Sequence, residues 1–514
     1  MKKIISLVLC VAMVITCLAG CGGAQAAADA APAAAASSAA GSTDAASTDA
    51  SSAEDLPFVE LTWYCCGQPQ SNPDPVFEKI NEYLKEKLNC SLKMITYDYG
   101  SYDEMLTVMS TAGEEFDLAF TSNWLFDYDQ AGRKGYLLPL DDLIEKYGQD
   151  YVAQVPEKFR NDAIVDGQTY GLVNYQIECK AYAMEAQKQY IDKYNFDVSQ
   201  VKKLADWEPL FEQVQADDPT MYGYLPDPTS HQFWCTIDEG LTKEPIVDGF
   251  NPFWIMRDGS NEIINIYEDP EYVENLKVLH DWYEKGYIRK DAASLTDLNA
   301  EQRSQKYVCW IAGNAKPGNE TEAEQLMGFP VKDVIMQPAM SSRGNSIATL
   351  TGISSTSKNP ERAMMLLNLV FADPYLFNLL CFGVEGVNYE FAEDGSVTSL
   401  EEGGYNPCVD WAMGNQFNAY VRTGQDLDVW EQTKAMNEAS EPSILGSFSY
   451  DKTKLKTENA MVDAVVEEYR MGFMSGSYDI DETMPVFLQA LKDAGADAVM
   501  EDMKNQYAEY LASK

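Results

Sequence analysis

The sequence predicts an α/β protein built on a parallel sheet, because strand and helix patterns alternate from residue 58 onward. Apolar alternation over 58–65 predicts a strand, and Asp74-Pro75 predicts the start of a helix, with Asp74 as N-cap and Pro75 in the first turn. A strand over 91–97, a helix over 102–111 and a strand over 116–121 follow. Elements of these lengths in this order form parallel sheets with crossover helices.

The first predicted helix has one buried face, since its apolar residues recur every four positions: Val76, Ile80, Leu84 and Leu88. The same start signal recurs at Asp269-Pro270, where Gly286 is the predicted helix end, and at Asn359-Pro360. The stretch from Glu482 predicts two helices on either side of Gly495. The sequence has no internal repeat of fixed period.

Residues 1–20 have the layout of an export signal. Lys2 and Lys3 precede an apolar run over 4–18, and small residues stand directly before Cys21. This layout resembles a bacterial lipoprotein signal, which implies that Cys21 becomes the lipidated N-terminus of the mature chain. Buried acyl chains contribute roughly 0.8 kcal/mol per CH₂ to membrane attachment. The alternative is an ordinary secretory signal that is cleaved nearby, with Cys21 incidental.

Composition limits the remaining possibilities. Residues 21–56 are rich in Ala and Ser, and we expect a disordered tether with an r.m.s. span of about 30 Å. No later apolar run has the length of a membrane span, so the body is expected to be soluble on the extracellular face of the membrane. The net charge of −43 argues against nucleic acid or an anionic lipid surface as a partner. Eight cysteines follow Cys21; buried free thiols are favoured, and disulfides stay open.

Several motifs resemble one family when they are taken in order. They are the segment 113–122 followed by Trp124, the hairpin sequence 166–172 and the helix start 357–363. Together they are similar to the extracellular solute-binding proteins of ABC importers, in the sugar-binding group called family 1. The resemblance implies a bilobed, type II periplasmic-binding-protein-like fold, with two α/β lobes joined by a hinge. Lobe one would comprise about 57–172 and 345–377, and lobe two about 175–344, within a binding domain of 57–377.

The segments 383–389 and 414–417 resemble a narrower branch, the LipO-like lipoproteins. This resemblance implies a mostly helical C-terminal domain over 378–514. Asn388 departs from the branch, which often has histidine at this position.

The resemblance also implies a solute cleft between the lobes, and the expected solute is a carbohydrate, namely an oligosaccharide. Sugars offer apolar faces to aromatic rings and hydroxyl groups to polar side chains. For every aromatic candidate, packing in the core is the alternative role. The candidate ligand-binding residues are Trp63, Tyr64, Gln68, Asn123, Trp124, Asp127, Asn174, Tyr175, Trp310, Glu385, Trp411 and Asn415.

Catalytic sequence motifs such as the Walker A, His-Glu-x-x-His and Gly-x-Ser-x-Gly patterns do not occur. We therefore expect a non-enzymatic monomer without metal or cofactor, whose partners are the solute, permease subunits and, through the anchor, the membrane. His280 is expected to be structural, and His231 lies in an aromatic loop. Three alternatives stay open: a glycoside hydrolase with paired carboxylates, a receptor for peptides or another solute, and a surface receptor without a transport role.

Overall fold

The computed structural model describes residues 56–227, 242–247, 251–295 and 298–514. The export signal, Cys21, the tether and His231 lie outside the described residues. The strands are β1 Val59–Cys66, β2 Cys90–Tyr97, β3 Leu118–Thr121, β4 Ile164–Val165, β5 Gln168–Thr169, β6 Gly171–Val173, β7 Cys179–Gln187, β8 Tyr222–Leu225, β9 Lys243–Pro245, β10 Phe253–Met256, β11 Ile263–Asn265, β12 Tyr307–Ala315, β13 Val331–Ser341, β14 Leu350–Ile353, β15 Tyr389–Phe391, β16 Val397–Ser399 and β17 Glu441–Pro442.

The helices are α1 Asp74–Leu88, α2 Tyr99–Ala112, α3 Tyr128–Arg133, α4 Asp141–Tyr147, α5 Gln149–Gln154, α6 Glu157–Asp162, α7 Lys188–Tyr194, α8 Glu208–Asp217, α9 Pro270–Lys285, α10 Leu298–Arg303, α11 Asn319–Met327, α12 Arg343–Ser346, α13 Pro360–Ala372, α14 Pro374–Phe382, α15 Val429–Ala439, α16 Lys456–Met474, α17 Ile480–Asp493 and α18 Ala496–Ala512. Short 3₁₀ turns join several of them.

Lobe one is built on a sheet of strand order β2-β1-β3-β14-β6. Strand β1 pairs in parallel with β2 and with β3, which confirms the predicted α/β start of the chain. Strand β14 returns from lobe two and pairs antiparallel with β3 and β6. The carboxyl ends of β1, β2 and β3 therefore meet at one edge, where ligands bind in open α/β sheets.

The predicted stripe of α1 packs into the lobe-one core, and Val76, Ile80 and Leu84 are buried. The predicted cap is wrong in detail. Pro73 occupies the N-cap position, and Asp74 is the first helical residue. The carboxylate of Asp74 still favours the helix start, because the N-terminal end of a helix carries partial positive charge.

Lobe two contains a sheet of strand order β17-β13-β7-β12-β8 and a smaller sheet of β11-β10-β9. The prediction for α9 is confirmed: Asp269 accepts a hydrogen bond from the backbone N–H of Tyr272, and Gly286 ends the helix in the left-handed conformation, at φ 79°. His280 on this helix lies 2.9 Å, through Nδ1, from the carbonyl oxygen of Gly476. It thereby ties α9 to the C-terminal part of the chain.

The chain passes between the lobes at three places: between β6 and β7, between β13 and β14, and between α15 and β17. Asn437, at the third passage, is fully buried and contacts the first passage. Its Oδ1 accepts from the backbone N–H of Glu178 at 2.8 Å, and its Nδ2 donates to the carbonyl oxygen of Gln176 at 2.7 Å. One side chain thus connects two of the three hinge segments.

The segment 378–514 contributes to both lobes. Its first part, up to Trp430, packs in the lobe-one core, and its last part, from Leu445 to Tyr507, packs in the lobe-two core. Gly495 separates α17 from α18 at φ 96°, as the sequence predicted. In the described part of the chain no single helix has the length and apolar composition of a membrane span; α13 and α14 meet that test only as a pair bent by 91°.

Candidate functional site

Three aromatic side chains form a surface at the carboxyl edge of the lobe-one sheet, and we call Tyr99, Trp124 and Trp411 the aromatic platform. The ring centroids of Trp124 and Trp411 are 6.4 Å apart, and those of Trp124 and Tyr99 are 6.3 Å apart. Phe120 packs against both tryptophans in T-shaped arrangements, and its ring centroid lies 5.9 Å from each of theirs. Trp124 is 50% exposed, so the platform offers ring surface to solvent.

The turn after β3 fixes Trp124 in place. The hydroxyl oxygen of Ser122 accepts hydrogen bonds from the backbone N–H groups of Leu125, at 2.7 Å, and Trp124, at 3.2 Å. The indole Nε1 of Trp124 donates to the carbonyl oxygen of Ala348 at 2.8 Å. Asn123 Nδ2 donates to the carbonyl oxygen of Gly344 at 3.0 Å. The turn is therefore attached to the hinge segment between β13 and β14.

Trp411 belongs to the C-terminal segment and is held by its own loop. Its Nε1 donates to the carbonyl oxygen of Cys408 at 3.0 Å. The neighbouring Asp410 is buried and receives both guanidinium nitrogens of Arg422, at 2.7 and 3.2 Å. Burial alone would raise the pKa of Asp410, but the charge and hydrogen bonds of Arg422 outweigh it and lower that pKa. Asp410 is therefore ionised and anchors this loop.

A second feature lies in lobe two: a pocket of about 530 Å³, which we call the lobe-two pocket. Gln425 extends from the segment of Trp411 to its edge, and Gln425 Nε2 donates to Glu322 Oε1 on α11 at 2.9 Å. Because Gln425 also accepts from the backbone N–H of Arg422, a chain of hydrogen bonds leads from the platform loop to the pocket. The polar side chains that line the pocket are Lys316, Asn319, Glu320, Thr321, Lys332, Asp333 and Asp426.

The structure brings together only part of the predicted site. Trp124 and Trp411, which are far apart in sequence, meet in the platform, and Asn123 lies in the same turn. Asp127 is exposed, and its side chain caps α3 by accepting from the backbone N–H of Gln130 at 2.7 Å. Gln68 is exposed in the loop that follows β1. That loop contacts the segment of Trp411, since Gln70 Oε1 accepts from the backbone N–H of Asn406 at 2.7 Å.

Asn174, Tyr175 and Asn415 join the first hinge segment to the C-terminal segment. Asn174 Nδ2 donates to the carbonyl oxygen of Ala412 at 2.9 Å, and the backbone of Tyr175 pairs with that of Asn415. Asn415 Nδ2 in turn donates to Gln154 Oε1 at 2.6 Å. All three side chains are buried and already hydrogen-bonded or packed, so in this conformation they position the platform loop rather than face solvent.

The remaining predicted residues lie elsewhere. Trp63 has no exposed surface and packs in the lobe-one core, and Trp310 is buried in the lobe-two core. Tyr64 stacks on Tyr97 at 6.1 Å. Glu385 is exposed in a loop of the C-terminal segment, with no described contact to the platform. Side chains in a strand alternate between its two faces. The sequence around Trp63 and Trp310 did not show which face is covered by the core.

Sequence reasoning did not identify Tyr99, Phe120 or the lining of the lobe-two pocket. Tyr99 had a usable signal, because it stands directly after a predicted strand, as Trp124 does. Among the described residues no group of three or more His, Cys, Asp and Glu side chains is arranged to hold a metal ion. The described cysteines are free; Cys408 is exposed, and the others are buried.

The chain is similar in sequence and in fold to known solute-binding proteins. The chain is 27% identical over 477 residues to the carbohydrate ABC transporter substrate-binding protein of Streptococcus pneumoniae serotype 4 strain TIGR4, covering 90% of this chain and 92% of that protein. Its fold matches a crystal structure of the N-glycan transport solute-binding protein NgtS of S. pneumoniae, with a TM-score of 0.78, 23% identity, and coverage of 88% and 99%. The complex of NgtS with Man1GlcNAc matches with a TM-score of 0.71, 23% identity, and coverage of 88% and 100%.

Two families match parts of the chain. Residues 444–512, which pack in lobe two, match a domain of unknown function, DUF3502. Residues 78–376, which span both sheets and the first two hinge segments, match the family described as bacterial extracellular solute-binding protein. This match covers more than half of the 514 residues. The chain therefore belongs to the bacterial extracellular solute-binding protein family.

Proposed function

We propose that this chain is the substrate-binding component of an ABC importer and captures an oligosaccharide between its two lobes for uptake. The aromatic platform carries this proposal. Two indole rings, held by hydrogen bonds, and the neighbouring phenol ring of Tyr99 offer at the carboxyl edge of the sheet the flat apolar faces on which sugar C–H groups stack. Fixed aromatic groups lose little conformational entropy on binding, which favours affinity.

The relatives support the class of solute. The S. pneumoniae relative is a carbohydrate ABC transporter substrate-binding protein, and NgtS is an N-glycan transport protein with structures in complex with Man1GlcNAc and Man5GlcNAc. A mannose- and N-acetylglucosamine-containing glycan is therefore the first solute to test. The lobe-two pocket would supply polar groups that bind hydroxyls, and closure of the lobes would bury the sugar.

The location follows from the N-terminal sequence. Lipidation of Cys21 would hold the protein at the extracellular face of the membrane, beside the permease subunits that receive the solute. The tether of residues 21–56 would let the two lobes reach solute and permease without detaching. Metabolic labelling with a fatty acid tests this step, and a Cys21→Ser variant that keeps the label would contradict it.

The experiment that tests the function is titration calorimetry of the soluble chain with Man1GlcNAc, Man5GlcNAc and a peptide pool. Binding of a glycan is expected, together with a rise in the unfolding temperature, because a ligand that binds only the native state stabilises it. Binding of peptides and no glycan would overturn the carbohydrate assignment. Release of monosaccharides during the same incubation would show a hydrolase instead of a receptor.

A further inference from the structure

Three side chains form a row across the lobe-two sheet beneath the pocket: Trp310, Glu185 and Asp333. Glu185 on β7 is paired in register with Trp310 on β12 and with Asp333 on β13. Directly paired residues on neighbouring strands share a face of the sheet, with Cβ atoms about 5 Å apart. Glu185 Oε1 accepts from Trp310 Nε1 at 2.7 Å. The two carboxyl groups therefore lie side by side, and Glu185 is only 4% exposed.

Asn319, the first residue of α11, lies over the two carboxyl groups. Its Nδ2 donates to Asp333 Oδ2 at 2.7 Å and reaches Glu185 Oε2 at 3.4 Å. Asn319 and Asp333 both line the lobe-two pocket. The two carboxyl groups thus hold the first residue of α11 in its place in the pocket lining.

The cations around the pocket are engaged with other carboxylates. Lys332 Nζ, on the strand of Asp333, binds Glu320 Oε1 at 2.6 Å, and Lys316 Nζ binds Glu322 at 2.7 Å. Asp426 adds a further negative charge to the lining. Within the described residues, no Lys, Arg or His forms a salt bridge to Glu185 or Asp333. Two ionised carboxylates in this position would repel each other, with no direct salt bridge among the described residues to offset the repulsion.

One proton between the two groups resolves this conflict. Asp333 Oδ1 is buried and has no hydrogen-bond partner among the described residues when both carboxyl groups are ionised. A protonated Glu185 would supply the missing donor, because a neutral carboxylic acid has one O–H group. The pKa of Glu185 agrees: burial, and next the charge of Asp333, raise it to about 7.

We propose that Glu185 and Asp333 share one proton and that Glu185 is a positioning residue for the lobe-two pocket, holding Asp333 and Asn319 where they meet the solute. Loss of the proton removes the hydrogen bond between the two carboxyl groups, and their repulsion then displaces Asp333 from Asn319 and loosens the start of α11. Solute affinity then falls. The part of this inference that concerns affinity rests on the proposed function, whereas the part that concerns the proton does not.

The direction of the pH effect follows from the two states of Glu185. Its pKa is near the ordinary value of 4.5 in the unfolded chain and about 7 in the folded chain. Between these two pH values the folded chain binds more protons than the unfolded chain. The contribution of Glu185 to the stability of the fold is therefore complete below about pH 4.5 and is lost as the pH rises to about 7.

The test compares wild type with Glu185→Gln. Glutamine keeps an acceptor for Trp310 and a donor for Asp333, so it mimics the protonated acid at every pH. The first measurement is the rate of hydrogen exchange at the start of α11 in the unliganded protein. Above about pH 7 this rate should rise more steeply than the intrinsic exchange rate in wild type, and it should follow the intrinsic rate in Glu185→Gln. The second measurement is the affinity for Man1GlcNAc. In wild type it should fall by about tenfold as the pH rises through about 7, because a tenfold change in affinity corresponds to a shift of one unit in the pKa of Glu185 on binding. In Glu185→Gln the affinity should not change with pH.

Glu244→Gln is the matched control, because Glu244 is also a buried lobe-two carboxyl but is neutralised by Arg257 at 3.0 Å. It should keep the wild-type pH profile of exchange at α11. Asp333→Asn serves as a second test of the pair if Glu185→Gln does not fold, and it should move the pH dependence to lower pH, because burial alone then raises the pKa of Glu185. Equal exchange profiles in wild type and Glu185→Gln would overturn the shared proton. A pH-dependent exchange profile with constant glycan affinity would overturn the positioning role, and failure of any glycan to bind would overturn the proposed function alone.

Discussion

In lobe one the groups that follow the strands are aromatic and face solvent, whereas the pocket in lobe two is lined by polar side chains of β13 and α11. The platform of Tyr99, Trp124 and Trp411 offers ring faces to solvent. The lobe-two pocket has Asn319, Asp333 and charged side chains in its lining, and Trp310 lies beneath it in the core. Among the residues that the structure describes, both lobes contain tryptophan, but only lobe one presents it at the surface.

This difference assigns separate tasks to the two lobes. Ring faces bind sugars through contact area and tolerate variation in hydroxyl orientation, whereas buried amides and carboxyl groups penalise any hydroxyl that leaves them unpaired. On this basis lobe one would provide affinity and lobe two would provide selectivity. Gln425 connects them, because it belongs to the segment of Trp411 and donates to Glu322 beside the pocket.

The largest expected effect is on the free energy of unfolding and comes from the buried Trp310. Trp310→Ala should lower the free energy of unfolding by about 3–5 kcal/mol, because it leaves a large cavity and removes the Nε1–H that binds Glu185. Urea unfolding followed by circular dichroism measures this loss. Trp124→Ala is the comparison, and its half-exposed ring should cost about 1 kcal/mol or less. Equal losses in the two variants would remove the distinction between the lobes.

The second effect is on affinity. Trp124→Ala should weaken glycan binding by about 2 kcal/mol, or roughly thirtyfold, because a central aromatic group at a binding surface contributes at this level. Trp124→Phe should recover part of the loss, since a ring remains. Calorimetry with Man1GlcNAc measures both variants.

Phe391→Ala provides the control for the loss at Trp124. Phe391 is 43% exposed, in the same range as Trp124, and lies away from the platform in β15. Its removal should leave glycan affinity unchanged. If the two variants bound the glycan equally well, the platform would not be the site of stacking.

Local sequence signals predicted the early elements of the fold well. The four-residue stripe of α1, the cap of α9 at Asp269 and the parallel pairing of β1 with β2 follow from periodicity and turn chemistry, which act over a few residues. The cap of α1 was wrong by one residue, because Pro73 already has a helical conformation. The division of residues 378–514 between two cores depends on contacts across hundreds of residues, and no local pattern encodes it.

The site was less predictable for the same reason. Trp124 and Trp411 meet through contacts across nearly three hundred positions, and the sequence identified each as an aromatic residue near a loop without showing that they pair. Glu185 and Asp333 gave no signal at all, since acidic residues in strands are common in a chain with 81 Asp and Glu residues. Only the strand register places their carboxyl groups side by side.

The smallest expected effect tests the connection between the lobes. Gln425→Ala removes the hydrogen bond to Glu322, and Lys316 still neutralises that carboxylate at 2.7 Å. A hydrogen bond to a charged group contributes on the order of 1 kcal/mol, so glycan affinity should fall about fivefold by calorimetry. Gln432→Ala is the matched control, because Gln432 binds Asp428 within its own helical turn, and it should not change affinity. If Gln425→Ala also leaves affinity unchanged, the two lobes bind the solute independently; a fall confined to Gln425→Ala would show that platform and pocket act as one site.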